Sequence, residues 1–487
     1  MESGKCSCWI RKKQITSESV NVLKQQNQGE KKVGVLTEGN IPKTIMQLAG
    51  PMMVGIVALM IFNLVDTMFV GRLGTLELAA MSFTFPVVNL INSIVMGLGV
   101  GVTAVISQLI GSGGASEVRC TTRDSLILAV GIVIVASGIG IATIDPLFRL
   151  IGADENILPL IRQYMIIWYV GMPFLVIPMV GNSAIRATGD TRTPAKIMIV
   201  AAVINIILDP LLIFGVGFFP KWGLAGAAIA TVVSRAITLV LALHVLIHRE
   251  KMIMVKMPKV AELFRHWGQL LTIGIPAALT QILIPISYAF LTRIVAEFGT
   301  VAVAAYGAGG RIFMMATIIP MSIATVMTPF SGQNWGAGRG DRVLGAVRFS
   351  TKTVLFYGLA GYVILAIAAV PVSWIFTKDG EVVKVLSQMI RINLVEMSFV
   401  GVVAVAGSTF NGLKQPLKAT LLMSVRFFVL VIPLAWMGSH FYGLTGFFIG
   451  SATGSILTGI IAWFWIRNLD PSKANVPTAQ SDLAASA

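Results

Sequence analysis

One plan is laid down twice along this chain. Gly74-Thr75 and Ala79-Ala80 recur as Gly299-Thr300 and Ala304-Ala305, a shift of 299 − 74 = 225 residues. The same shift carries Pro51 to Pro276, Thr103 to Thr328, Gln108 to Gln333, Gly111 to Gly336 and Gly113 to Gly338. The register then slips slightly. Pro194 recurs as Pro416 (416 − 194 = 222), Pro210 as Pro433 (433 − 210 = 223), and Gly223-Leu224 as Gly443-Leu444 (443 − 223 = 220). A match sustained this far, with only small indels, is duplication. Both copies are intensely apolar: the 487 residues are 55% hydrophobic and 12% charged, against about 25% charged in a soluble domain. A water-soluble fold would leave far too much apolar surface exposed, so the class is an all-α polytopic membrane protein. Duplicated membrane units are common among carriers, whose substrate sites sit between the repeats.

Twelve apolar spans follow a polar segment, at about 45–70, 79–110, 123–147, 158–184, 194–215, 222–247, 268–297, 301–330, 348–375, 384–411, 415–437 and 442–467. Each approaches or exceeds the ~20 residues a bilayer requires. Only helices satisfy their own backbone in lipid at this length. The loops after even-numbered spans are rich in Lys and Arg, among them Arg119, Arg186, Lys196, Arg249, Lys256, Arg339 and Lys414. Those after odd-numbered spans carry little more than Arg72, Arg149, Lys221 and Lys378. The positive-inside rule therefore puts both termini in the cytoplasm. Six spans per copy give the two copies the same orientation, so they are parallel repeats. The division expected is a disordered cytosolic tail over 1–43, a six-helix bundle over 44–248, a basic cytosolic linker over 249–266, a second bundle over 267–468, and a disordered tail over 469–487. The linker is basic enough to touch membrane lipid.

The net charge of +15 is explained by these loops and does not indicate nucleic acid, because no basic patch is interleaved with base-stacking aromatics. Cys6-x-Cys8 has no partner pair for zinc. The first apolar run lies behind a long polar tail and lacks a small-residue cleavage site, unlike a signal peptide. HExxH and Asp-rich metal motifs are absent and there are four histidines in all, so an intramembrane enzyme is not expected.

Chemistry is expected where the copies disagree. Asp66 lies within the first span, and its 225-shifted partner is Leu291. In the fifth span, aligning Pro210 with Pro433 pairs Asp209 with Ile432 and Asn205 with Phe428; a register of 222 pairs them with Val431 and Phe427. The first copy thus holds two intramembrane carboxylates that the second lacks. A carboxylate at membrane depth costs at least ~2.5–3.5 kcal/mol and usually has a task. Asn205 and Asp209 are four apart and share a helix face, and Pro210 frees a carbonyl one turn earlier. With Asp66 and Thr231 they form a set of oxygen ligands suited to a hard cation. A proton is the rival occupant. Glu396 and Gln281 are candidates for a substrate cleft, and Arg426 for neutralising a carboxylate or a helix end. Gln108 and Gln333 head twin glycine turns whose symmetry suggests structure first and gating second.

The stretches FNLVDTMFVGRLGT, RATGDTRTPAK, NIILDPLLIFG, GLAGAAIAT and SGQNWGAG resemble those of the multidrug and toxic compound extrusion (MATE) family, over roughly residues 42–467. The resemblance implies twelve helices in two six-helix bundles around a central cleft. It implies export of cationic or amphipathic organic compounds in exchange for sodium or protons, from a multi-pass position in the plasma membrane, as a monomer and without a cofactor. The norfloxacin-exporter branch carries acids in the seventh and tenth helices, whereas the seventh span here, Gly274 to Phe290, has none and the tenth has Glu396, about a turn from the expected place. The intact Asp66, Asn205 and Asp209 resemble the DNA-damage-inducible branch, which places the coupling-cation site, sodium if sodium-coupled, in the N-terminal bundle; Thr231 would complete it. A flippase for a lipid-linked or amphiphilic substrate is the alternative within the same superfamily.

Overall fold

The computed structural model describes residues 36–470 apart from 218 and 255. Cys6 and Cys8, the tail before residue 36 and the segment after residue 470 lie outside the described residues. Among the described residues all regular structure is helical: α1 (Ile41–Gly71), α2 (Thr75–Gly111), α3 (Ala115–Ala142), α4 (Ile144–Leu150), α5 (Leu158–Ala187), α6 (Arg192–Phe214), α7 (Leu224–His244), α8 (Val260–Ala296), α9 (Thr300–Ala316), α10 (Ile318–Gly336), α11 (Gly340–Ile367), α12 (Ala369–Phe376), α13 (Gly380–Asn393), α14 (Glu396–Gly412), α15 (Pro416–Ser424) and α16 (Ile432–Arg467). Wider π-helical turns extend α7 over Val245–Arg249 and join α15 to α16 over Val425–Val431.

The duplication reappears in these bounds. α3 moved by 225 is α11 (115 + 225 = 340 and 142 + 225 = 367), and α2 moved by 225 spans α9 and α10 together (75 + 225 = 300 and 111 + 225 = 336). The copies differ in continuity. α9 and α10 meet at a 52° bend and α13 and α14 at a 51° bend, while α2 and α5 run unbroken. Pro320 explains the first bend: it cannot donate to the carbonyl of Ala316, and the ladder opens there. Thr317 helps, its hydroxyl donating back to Phe313 O at 2.9 Å. α16 turns back on itself at Tyr442 and Gly443, the latter at φ +57°, so the 52 residues of Pro416–Arg467 make two crossings. Counting each bent pair as one span, the twelve expected spans are present.

Two expected boundaries move. Residues 36–43, read as tail, are structured: Leu36 is buried, its N–H donates to Gln333 Oε1 at 2.5 Å, and Asn40 caps α1 by accepting from Lys43 N at 3.2 Å. α8 starts at Val260, inside the stretch read as linker. Polar sequence predicted a solvated segment before α1, but its backbone donors are satisfied by protein instead.

The two copies meet along α2, α8 and α10, with α1 against α10. Their junction has pseudo-two-fold symmetry at the level of single bonds. Gln108 Nε2 donates to Gly412 O at 2.7 Å and Gln333 Nε2 donates to Ala187 O at 2.6 Å. Within each copy the match continues: Thr103 Oγ1 donates to Ser183 O and Thr328 Oγ1 to Ser408 O, both at 3.0 Å. Every donor and acceptor in one pair is 225 residues from its mate. Gly111 and Gly336 make the approach possible: a Cβ there would sit 2.1 Å from Gln333 O and 2.3 Å from Gln108 O. The paired glutamines are therefore the seam between the copies.

Candidate functional site

α1 packs on α6 and α6 on α7. That packing brings the sequence-selected oxygens of the first copy together. Asn205 and Asp209 are fully buried and Asp66 nearly so. Asn205 Nδ2 donates to Thr231 Oγ1 at 3.4 Å. The Asp66 charge bears on Asp209, and Tyr164, a buried residue of α5, lies within range of both carboxylates' charges. Asp66 Oδ1, Asn205 Oδ1 and both carboxylate oxygens of Asp209 are buried without a well-formed hydrogen bond among the described residues, Asn205 being the polar neighbour that comes near Asp209. Buried polar atoms are otherwise almost always satisfied. Four orphaned oxygens near one another fit a group that arrives carrying positive charge, either a hard cation or protons on the carboxylates. Pro210 lies within α6 and adds the carbonyl it leaves without a donor, that of Ile206.

The matching place in the second copy is built differently. Leu291, Phe427 and Val431, the counterparts of Asp66, Asn205 and Asp209 at shifts of 225, 222 and 222, line a cavity of about 220 Å³. Glu396 and Arg426 also face it. Glu396 opens α14 at the 51° bend, close to a helix N-terminus that favours its charge. Its oxygens are both taken: Oε1 accepts from Asn393 Nδ2 at 3.0 Å and Oε2 from Ser455 Oγ at 2.7 Å. Gln281 does not join it; Gln281 Nε2 lies 3.6 Å from Met96 Sδ, facing α2.

Sequence reasoning missed Tyr164 as a neighbour of the two aspartates, and gave Arg426 only a neutralising role. Tyr164 left no signal, because its spacing on α5 is that of any core aromatic. Arg426 did leave one, as a cation inside the apolar run Thr420–Val431.

Comparison with known proteins agrees with this architecture. The family profile MatE matches residues 51–211 and 276–437, one match in each copy. A FAD transporter of Shewanella oneidensis is 38% identical over 440 residues, covering 90% of this chain and 97% of the relative. A Bacillus subtilis protein named probable multidrug resistance protein YoeA is 27% identical over 398 residues, covering 80% and 85%. Among solved structures, the Vibrio cholerae MATE transporter VcmN in its bent form superposes with a TM-score of 0.83 at 30% identity, covering 88% of this chain and 96% of that one. A duplicated, all-helical, multi-pass membrane chain that matches the MatE profile in both halves, and transporters of that family over nearly their whole length, belongs to the MATE transporter family.

Proposed function

We propose that this chain is a secondary antiporter that exports amphipathic organic compounds in exchange for sodium or protons by alternating access. The single observation that carries the reading is the cluster of orphaned oxygens on Asp66, Asn205 and Asp209 at membrane depth. Burying two carboxylates without partners is costly, and the cost is offset when a coupling ion binds. An ion drives a change of access only if it binds one conformation better than the other. Oxygens contributed by two helices, α1 and α6, meet that requirement when the helices shift against each other. The site belongs to the N-terminal six-helix bundle, with Thr231 as a further ligand, in the manner of the DNA-damage-inducible branch; both termini face the cytoplasm on the lysine and arginine distribution.

If the acidic set serves the ion, it does not also select the cargo. The cargo class is then broader than organic cations, which accords with relatives named for FAD transport and for multidrug resistance. The test is transport in proteoliposomes with sodium and proton gradients imposed separately. A gradient of one ion is expected to drive uptake or release of a fluorescent amphiphile. Equal movement with and without both gradients sinks the antiport reading and leaves the flippase.

A further inference from the structure

We propose that the cavity of the second copy is a subsite for an aromatic anion, with Arg426 meeting the anionic group and the surrounding rings holding the aromatic body. This rests on the transporter reading and names what the C-terminal half of that transporter holds.

Arg426 is the first support. It lies ten residues beyond Pro416, about 15 Å along a helix and thus deep in the span. A charge there is expensive and is usually kept for a task. Arg426 is 7% exposed, and its Nε is buried with no hydrogen-bond partner. Its guanidinium lies 4.7 Å from the centre of the Phe427 ring, with Glu396 near enough to feel its charge but not bonded to it. Glu396 is the nearby carboxylate, yet Asn393 and Ser455 already occupy both its oxygens. Arg426 is the one cation among the residues lining this cavity, beside the unpartnered Asn393 Oδ1 and the already bonded Glu396.

The backbone gives the second support. Arg426 and Phe427 stand in the π-helical turns over Val425–Val431, and such turns concentrate at functional sites because they push side chains out of helical register. The wall gives a third. Tyr288, Tyr306, Phe313 and Phe427 surround the space. Gly307 and Gly310, three apart on one face of α9, leave it open: a Cβ on either would meet nothing within 4 Å. About 220 Å³ accommodates a fused-ring body and its attached charge rather than a whole dinucleotide, so the subsite grips one end of a longer cargo.

The fourth support is the comparison between copies. Where the first copy has Asp66, Asn205 and Asp209, the second has Leu291, Phe427 and Val431; where the second has Arg426, the first has Ile204 (426 − 222 = 204). The first pocket thus carries two carboxylates that the second lacks, and the second a cation, Arg426, that the first lacks at the matching position. Ion and cargo then occupy separate sites and communicate through the conformation that both sites bias.

Flavins provide the test because they fluoresce and come with and without phosphate. Protein in nanodiscs of neutral lipid is titrated with riboflavin and with flavin mononucleotide. The wild type is expected to bind the mononucleotide at least about tenfold more tightly, the scale of a hydrogen bond to a charged group. Arg426→Gln should bring the two affinities together, and Arg426→Lys should restore part of the gap. Gly307→Leu fills the cavity while leaving Arg426 in place, and should weaken both flavins. Each variant's melting temperature in nanodiscs reports whether it folds. An undiminished preference for the mononucleotide in folded Arg426→Gln overturns the proposal. So does loss of mononucleotide binding when neutral lipid is replaced by anionic lipid, since the guanidinium would then be serving a lipid headgroup. If the flavin results hold but no ion gradient drives transport, the subsite stands and the antiporter reading falls.

Discussion

At the scale of single residues, Asp209 is the most exposed to test. Both its carboxylate oxygens are buried without a well-formed hydrogen bond, so its ionised form carries a desolvation cost that the surrounding protein does not offset. Asp209→Asn keeps the size and removes the charge. Ion-driven transport is expected to fall at least about tenfold, the effect of losing one charged contact. Thermal stability without the coupling ion should be unchanged or higher, because a neutral amide costs less to bury. The check is transport beside melting temperature, with and without sodium, for Asp66→Asn, Asp209→Asn and Glu396→Gln. Should Glu396→Gln alone abolish the ion response, the coupling site lies in the C-terminal copy. The candidates themselves were legible because they break the repeat: Asp66 faces Leu291 and Asp209 faces Ile432 or Val431 in the alignment of the copies. What they touch was not legible. The Asn205–Thr231 bond and the nearness of Tyr164 to both aspartates' charges depend on how α1, α5, α6 and α7 rotate against each other, which no spacing within one helix encodes.

At the scale of elements, α3 and α8 are joined by a polar cluster with no counterpart in the second copy. His266 of α8 is buried between two carboxylates of α3: Nδ1 donates to Asp124 Oδ2 at 2.6 Å and Nε2 to Glu117 Oε1 at 3.0 Å. Arg265 also donates to Glu117 at 2.8 Å, and Arg123 Nε to Asp124 at 2.7 Å. At the 225 shift these positions become Arg342 for Glu117, Phe349 for Asp124 and, in reverse, Ile41 for His266. Burial disfavours the imidazolium, but the hydrogen bonds and charges of Glu117 and Asp124 outweigh it and hold the His266 pKa above its ordinary value. The Glu117 carboxyl is held below its ordinary value, chiefly by its hydrogen bond to His266. The raised histidine stabilises the fold fully below its unfolded pKa of about 6.5 and ceases to do so as pH rises through its higher folded value. The lowered glutamate stabilises above about 4.3 and fails as pH falls through its lower folded value. The cluster is therefore strongest between about pH 4.5 and 6.5. A melting series should show His266→Gln furthest below the wild type in that window, with the gap narrowing toward pH 9. A gap that is constant with pH assigns His266 to packing alone. Neither the cluster nor the bends at Thr317 and Leu394 follows from hydropathy, which places α3, α8, α9 and α13 as spans but is silent on ion pairs at their ends. Pro320 was a legible cause of its bend; the bend after Asn393 has no proline or glycine to announce it.

For the whole molecule, the pseudo-symmetric seam sets how the copies can part. Alternating access requires one end of the junction to open, so bonds that cross it bias the balance between states. The two glutamines look equivalent in sequence but carry unequal loads. Gln108 contributes one bond across the seam, to Gly412 O. Gln333 contributes its mate, to Ala187 O, and also accepts from Leu36 N. The segment around Leu36 is itself tied down: Asn334 Nδ2 donates to Leu36 O at 3.1 Å, Arg339 Nη1 to Thr37 O at 2.6 Å, and Arg342 Nη1 to Gly39 O at 2.9 Å. The N-terminal strap thus fastens to the end of α10 and, through Gln333, to the seam. Gln333→Ala leaves two buried backbone groups unpaired where Gln108→Ala leaves one, at about 1–3 kcal/mol for each. About 1.4 kcal/mol changes an equilibrium tenfold. Gln333→Ala should therefore open this end of the junction about tenfold more than Gln108→Ala. Hydrogen exchange in nanodiscs reads the difference. Amides over 108–114 and 333–342 should lose protection in both variants, and by the larger factor in Gln333→Ala, with Leu36–Gly39 exposed only there. Equal loss in the two variants would mean that the strap does not restrain the junction and that the seam is symmetric in energy as well as in geometry.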